Sequence, residues 1–110
     1  MNITPISRTI GYSQIVDEMI ISFDHNSNID WLLPGCAPTN KTIKFPLLAV
    51  VGFEQEGGEW KVASERIYWD QATVLLQAGI LTQSSLPITG SEQAELVLDI
   101  NSHATNKLLK

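Results

Sequence analysis

The stretch from residue 43 to 53 alternates with unusual regularity and constrains the fold more than any other feature. Its odd positions form an apolar series: Ile43, Phe45, Leu47, Ala49, Val51 and Phe53. Several even positions are apolar as well, so both faces are apolar at the centre of the stretch. A period of two predicts a long β-strand. Pro46 has no N–H for a ladder hydrogen bond, so we expect its end of the strand to lie at an edge or a bulge.

Further strands flank this one. The glycines of "EQEGGEW" can take positive φ, and "WKVASERIYW" follows as a returning strand, so the pair should form a long hairpin. Residues 15–24, "IVDEMIISFD", are rich in β-branched and aromatic types and place Ile15, Met19, Ile21 and Phe23 on one face. A shorter strand in "SRTIGYS", ended by Gly11, should come first.

The period changes to that of a helix at Asp70. The following stripe has helical spacing: Ala72, Leu75, Leu76 and Gly79. Gly79 suits the C-terminal end of this helix. The spacing of Thr89 and Glu92 in "TGSE" predicts a capping box and a second helix to about residue 100. Its expected buried stripe is Ala94, Val97 and Leu98.

Residues 26–42 combine two prolines, a glycine and three asparagines, which predicts turns and irregular structure. Trp31, Leu32 and Leu33 in this segment are too apolar for a free loop. We expect them to hold the segment against the core, through a short helical turn that begins near Asp30.

Size and charge restrict the function. A chain of 110 residues with 44% hydrophobic content is the size of one domain, so we predict a single domain over residues 1–110. The net charge is -5 and the seven Lys and Arg are scattered, which argues against a nucleic-acid partner. No segment resembles a signal peptide or a membrane span, so we expect no membrane partner and a cytoplasmic location.

The single cysteine, Cys36, rules out an intrachain disulfide and has no neighbouring base, so we expect it to be inert. Two histidines 78 positions apart offer no metal-ligand spacing, and phosphate loops, dinucleotide fingerprints and nucleophile elbows are missing from the sequence. We therefore predict no metal site and no cofactor.

Several segments together resemble a known family. "RTIG", "IVDEMIISFDH", "IDWLLPGCAPTNK" and "ERIYWDQATVLLQAGIL", followed by "LPITG", are similar to the SnoaL-like branch of the nuclear transport factor 2-like superfamily over residues 8 to about 95. The resemblance implies an α+β fold: a curved, mostly antiparallel sheet forming a cone, helices packed against it, and a pocket at the open end. The superfamily includes polyketide cyclases, ketosteroid isomerases and epoxide hydrolases. It also includes many proteins that have a pocket but no known chemistry, so the fold does not determine the function.

The chain departs from this family at several points. Relatives usually carry two or three helices before the first long strand, whereas only about seven residues precede "RTIG", so the fold should lack the N-terminal helices. Arg66 stands where relatives often have His, which removes a proton relay through that position. Asn40 replaces a common Gly, and Asn tolerates left-handed φ. An open cone exposes apolar surface, so we expect a homodimer formed through the sheet or the open face.

Asp70 has two possible roles. A short acidic side chain just before a helix caps the first amides, which stabilises the helix by about 1 kcal/mol. Alternatively, the end of the strand aims Asp70 into the mouth of the cone, where it would act as a general base. Capping is the more common role for such a residue, and the two roles are compatible.

We expect the other candidate site residues to surround an apolar cavity between the bent sheet and the segment after Asp70. His25 is the second candidate for catalysis, because imidazole donates and accepts protons near neutral pH. The expected ligand-binding residues are Tyr68, Trp69, Trp31, Phe45, Phe23 and Met19. We expect Glu18 to lie on the other strand face, either solvated or paired with a cation such as Arg66 or Lys44, and the surface pair is the favoured alternative.

Three functions follow from these residues. The first is a small-molecule binding protein for an apolar or aromatic ligand. The second is a cyclase- or isomerase-type enzyme in which Asp70 takes a proton, with His25 or Tyr68 assisting. The third is an interaction module that uses the open sheet face. The sequence offers no convincing second acid or base to act with Asp70, which favours the first of these functions.

Overall fold

The computed structural model describes residues 1–82 and 86–99. Four strands precede two short helices: β1 Asn2–Ile10, β2 Gln14–Asp24, β3 Thr42–Glu56, β4 Glu59–Trp69, α1 Gln71–Gln77 and α2 Glu92–Leu98. The strands form one antiparallel sheet in the order β1, β2, β3, β4, so neighbours in the sheet are neighbours in the chain. The predicted α+β class and the long hairpin are confirmed. β1 ends before Gly11 as expected, but it begins earlier, at Asn2.

The register of the strands fixes which side chains share a face, because directly opposed residues point the same way. One cross-strand row consists of Met19, Leu47 and Trp69. We name the face of this row, which carries the odd-numbered residues of β2 and β3, the core face. The adjacent row consists of Glu18, Leu48 and Tyr68. It lies on the opposite face, which we name the cleft face.

One half of the core face is covered and tightly packed. Leu32 and Leu33 from the loop after β2, Val74 of α1 and Ala78, the residue that ends α1, pack against β2 and β3. None of the buried side chains in this cluster is more than 8% exposed. The interior that we expected to be hollow is therefore filled, because the loop inserts its two leucines between the sheet and α1. Burying each such side chain contributes about 2 kcal/mol, so this cluster is the main source of stability.

The predicted edge at Pro46 is present. Pairing between β3 and β4 stops where Leu47 faces Trp69, so the first residues of β3 have no strand on that side. The Gln77 side chain of α1 takes its place. It accepts a hydrogen bond from the Lys44 N–H at 2.8 Å and donates one to the Lys44 carbonyl at 2.9 Å. Pro46 lies on the same unpaired stretch, where a missing N–H leaves no ladder hydrogen bond unmade.

The buried side of α1 differs from the predicted stripe. The buried positions are Thr73, Val74 and Ala78, whereas the apolar spacing favoured Ala72, Leu75 and Leu76. A polar residue faces inward because the Thr73 Oγ1 hydroxyl donates to the carbonyls of Thr89 and Gly90 in the segment before α2. Gly79 follows the helix with φ of 78°, which confirms its predicted role at the C-terminal end.

α2 lies on the cleft face, and its predicted capping box is wrong. The N-cap residue is Ser91, which makes no side-chain capping bond, and the Glu92 carboxylate instead accepts a hydrogen bond from the Gly90 N–H at 2.8 Å. Ala94 is fully buried, as expected, while Leu98 is exposed. Glu95 accepts from the Lys44 ammonium at 2.8 Å, which ties α2 to β3. The predicted end of α2, at residue 100, lies outside the described residues.

The other half of the core face is bare. No described element packs against its central apolar side chains, which are Ile10, Ile15, Val51, Phe53, Trp60 and Val62, and Glu65 lies among them opposite Val51. Tyr12 and Ile67 lie at its margins, and the rings of Tyr12 and Trp60 meet edge to face with centroids 5.7 Å apart. Ile10 and Val62 are 72% and 62% exposed. We name this surface the uncovered patch.

Candidate functional site

A cleft of about 360 Å³ opens between the cleft face of the sheet and α2. Its apolar lining residues are Pro46, Leu48 and Val97, together with Met19, Leu47 and Trp69, whose side chains point to the core face. Its polar lining comes from Glu18, Tyr68, Asp70 and Gln93. The structure thus brings together four of the predicted site residues, namely Met19, Tyr68, Trp69 and Asp70. We name this site the Asp70 cleft.

Asp70 lies where β4 passes into α1, and its carboxylate is a helix cap. One oxygen, Oδ1, accepts hydrogen bonds from the N–H groups of Ala72 at 3.0 Å and Thr73 at 3.4 Å. The other, Oδ2, accepts one from the Gln93 side chain at 2.9 Å. The carboxylate therefore starts α1 and also links it to α2. The capping interpretation of Asp70 accounts for these contacts.

Glu18 and Tyr68 lie in one cross-strand row with Leu48 between them. Since neighbouring strands lie about 4.8 Å apart, Glu18 and Tyr68 mark opposite ends of an apolar floor about 10 Å wide. The Glu18 carboxylate accepts a hydrogen bond from the Ser7 hydroxyl at 2.5 Å. The ion pair that we expected for Glu18 is not formed, because both candidate cations have other partners.

Lys44 and Arg66 each bond to a residue other than Glu18. Lys44 pairs with Glu95 on α2. The Arg66 guanidinium donates to the Gln14 side chain at 3.1 Å, towards the opposite end of β4 from Asp70. No Lys or Arg lines the Asp70 cleft among the described residues.

His25 does not reach the Asp70 cleft. It is fully buried at the end of β2, where its ring meets Phe23 edge to face. Its Nδ1 accepts a hydrogen bond from the Thr39 N–H at 3.3 Å, so in the neutral ring the proton sits on Nε2. That nitrogen is buried and has no partner among the described residues. The backbone of His25 bonds to Asn40 and Lys41, so this residue closes the long loop.

The remaining predicted ligand-binding residues also lie outside the Asp70 cleft. Phe23 and Phe45 belong to the packed core beneath α1 and the loop. Trp31 is half exposed and meets Trp69 edge to face, with ring centroids 5.8 Å apart. Trp31 therefore supports Trp69 from the core side. Asn40 has φ of 57°, which confirms the left-handed turn expected there.

Sequence reasoning missed the contribution of α2 and part of the floor. Gln93 and Val97 line the cleft from α2, and Pro46 and Leu48 line it from β3. Alternation within each strand shows which residues of that strand share a face. Only the register between strands shows that Glu18, Leu48 and Tyr68 lie on the same face of the sheet. The sequence alone does not supply that register.

Arg8 and Asp17 form a second charged site, on the core face between the packed half and the uncovered patch. The guanidinium donates to both carboxylate oxygens, at 2.7 and 2.9 Å. These hydrogen bonds are the main reason that the pKa of Asp17 lies below its usual value, and the charge of Arg8 acts in the same direction against partial desolvation. This pair is a structural clamp between β1 and β2.

No helix among the described residues is both long and apolar enough to cross a bilayer. Within residues 1–82 and 86–99, His, Cys, Asp and Glu side chains nowhere gather in a group of three that could hold a metal ion.

Comparison with known proteins gives no relative. No family model, no curated protein and no solved structure matches the chain.

Proposed function

We propose that this protein binds a small molecule with an apolar or aromatic body in the Asp70 cleft. The observation that carries the proposal is the composition of the cleft, in which six apolar and four polar residues line a volume of about 360 Å³. Ligand pockets are typically about 300 to 1,000 Å³ and combine apolar walls with a few polar groups that orient the ligand.

Binding is favoured over catalysis by the way Asp70 is used. An enzyme of the cyclase or isomerase type would need Asp70 to take a proton from the substrate, yet both of its oxygens already accept hydrogen bonds from α1 and α2. His25, the expected second group, is buried away from the cleft. Tyr68 is the only other described lining residue with an exchangeable hydroxyl proton. The catalytic alternative therefore assigns proton transfer to the carboxylate that also joins α1 to α2.

The proposal includes membership of the SnoaL-like branch of the nuclear transport factor 2-like superfamily. It is supported by the antiparallel order of the four strands, the helix that begins after "IYWD" and the left-handed turn at Asn40. A crystal structure tests this part: a sheet bent into a cone around the β3–β4 hairpin supports it, and a flat sheet contradicts it.

The binding proposal is tested by filling the Asp70 cleft. Replacing Val97 by Trp on α2 places a large ring over the floor, while the same change at Val62 lies on the opposite face. A ligand found by thermal-shift screening with aromatic compounds should raise Tm of the native chain and of V62W but not of V97W. Equal shifts for V97W and V62W would place the ligand elsewhere and contradict the proposal.

We propose a second function for the uncovered patch, which is self-association into a homodimer. The specific observation is the cluster of exposed apolar side chains that includes Ile10, Trp60 and Val62 on one sheet face. Monomers seldom leave apolar patches larger than a few hundred Å² in water. A two-fold dimer would bury the same patch on both copies.

Sedimentation equilibrium tests this second function. Replacing Ile10 by Lys puts a charge in the patch, whereas replacing its neighbour Thr9 by Lys puts the same charge on the cleft face of β1. I10K should be monomeric at concentrations where the native chain and T9K are dimeric. A monomeric native chain, or an I10K variant that still dimerises, would contradict the assignment.

A further inference from the structure

The charges that line the Asp70 cleft restrict the class of ligand further than its apolar lining does. Two carboxylates, Glu18 and Asp70, are among its four polar lining residues, and the other two are the neutral Gln93 and Tyr68. No Lys or Arg of the described chain lines the cleft. A ligand in this site therefore meets negative charge that no lining cation balances.

The nearest cations are engaged elsewhere. The ammonium of Lys44 is 2.8 Å from Glu95, and the guanidinium of Arg66 bonds to Gln14. An anionic ligand would enter against two carboxylates with no lining cation to pair with. A cationic ligand gains Coulomb attraction without rearranging the protein.

The arrangement of the carboxylates also fits a cation attached to an apolar body. Glu18 lies at the β2 side of the floor and Asp70 at the β4 side, with Leu48 between them. One oxygen of Glu18 takes the Ser7 hydroxyl, and a carboxylate has further lone pairs for an N–H donor. The aromatic side chain of Tyr68 borders the floor and adds attraction for a nearby cation.

We infer that the Asp70 cleft selects organic amines: molecules with an aromatic or apolar body and a protonated nitrogen that pairs with Glu18. This inference rests on the proposed binding function of the same cleft. It changes the expected ligand from a neutral apolar molecule to a cationic one.

The test uses three probes with the same carbon skeleton and different charges: phenylpropylamine, phenylpropanol and phenylpropionate. Affinities are measured by NMR titration of the full chain, following the side-chain amide of Gln93 and the backbone N–H of Tyr68. The amine should bind about tenfold more tightly than the alcohol, the propionate should bind most weakly, and added salt should weaken the amine alone.

Two variants locate the effect. Glu18→Gln keeps an oxygen for the Ser7 hydroxyl and removes the charge, and Glu54→Gln removes a charge from β3 outside the cleft. The amine should lose about fivefold in affinity with E18Q, while E54Q should leave it unchanged. Asp70→Asn, which retains a capping oxygen, should also weaken the amine, and by a larger factor than it weakens the alcohol.

The outcomes separate this inference from the function on which it rests. If all three probes bind equally, the charge selection is wrong and the binding function stands. If none of them binds, both fail. If the amine is preferred but E18Q and E54Q weaken it equally, the preference comes from the overall charge of the chain and the role of Glu18 is overturned.

Discussion

The two halves of the core face differ in what covers them, although the same strands run through both. In the covered half, Phe45 and Leu47 pack beneath Leu33 and Val74 and are nearly excluded from water. In the uncovered patch, Val51 and Phe53 continue the same alternation on the same strand, yet no described element lies over them. A strand's pattern therefore shows which side chains face the same way, and it does not show whether anything lies opposite.

The largest expected difference between the halves is in the cost of removing an apolar side chain. Leu33→Ala leaves a cavity in the packed cluster and should lower the free energy of unfolding by about 3 kcal/mol. Val62→Ala removes an exposed side chain from the uncovered patch and should change it by less than about 0.5 kcal/mol in a monomer. Urea unfolding at low protein concentration measures both. Equal costs would mean that the patch is covered in solution.

The free edge of β3 offers a second comparison. Gln77 satisfies both backbone groups of Lys44 where β4 has ended, whereas Gln55 lies on the exposed end of the same strand. Gln77→Leu leaves a donor and an acceptor unpaired and should cost about 2 kcal/mol of unfolding free energy. Gln55→Leu, an identical change at the open end, should cost almost nothing. A stable Gln77→Leu variant would show that this edge is hydrated.

Asp70 lies at the start of α1, which packs on the covered half, and its substitution measures how much the helix cap contributes to stability. Asp70→Ala removes the cap and the link to Gln93, so the free energy of unfolding should fall by about 1 kcal/mol. Asp70→Asn retains an acceptor for the helix amides and should stay within a few tenths of a kcal/mol of the native value. Thermal unfolding distinguishes the two variants. Equal losses would show that the charge, not the cap, stabilises this junction.

The smallest effect should come from the Arg8–Asp17 clamp at the boundary between the halves. The pKa of Asp17 is lower in the folded chain than its usual value, so the pair stabilises the fold above the usual pKa of Asp. That contribution is lost as the pH falls through the lowered pKa. Arg8→Gln should therefore lower Tm slightly at neutral pH, and the difference should vanish in acid. A difference that persisted in acid would indicate that Arg8 stabilises by packing.

Local sequence chemistry predicted the elements well. Alternation gave the strands, two adjacent glycines gave the hairpin turn, Gly79 gave the end of α1, and Asn40 gave a left-handed turn. These features depend on neighbouring residues only, through sterics and backbone hydrogen bonds. Capping of α1 by Asp70 belongs to the same class, because the cap and the amides it binds are within three residues of each other.

The site was predicted only in part, because its residues come from distant parts of the chain. Met19, Tyr68, Trp69 and Asp70 meet in one cleft as expected, but Phe23, Phe45 and His25 lie in a core that the loop leucines fill. The buried face of α1 was also predicted wrongly. Thr73 is buried because its hydroxyl donates hydrogen bonds to carbonyls sixteen and seventeen residues further along the chain. Apolar periodicity carries no information about such partners.

The sequence by itself determined the strands, the hairpin and the start of α1, since each follows from local geometry. The tertiary structure alone decided which half of the core face is covered, which face holds the cleft, and that Glu18 and Asp70 border it without a lining cation. Those features depend on strand register and on where the loop and α2 pack, and register joins residues that are up to about fifty positions apart.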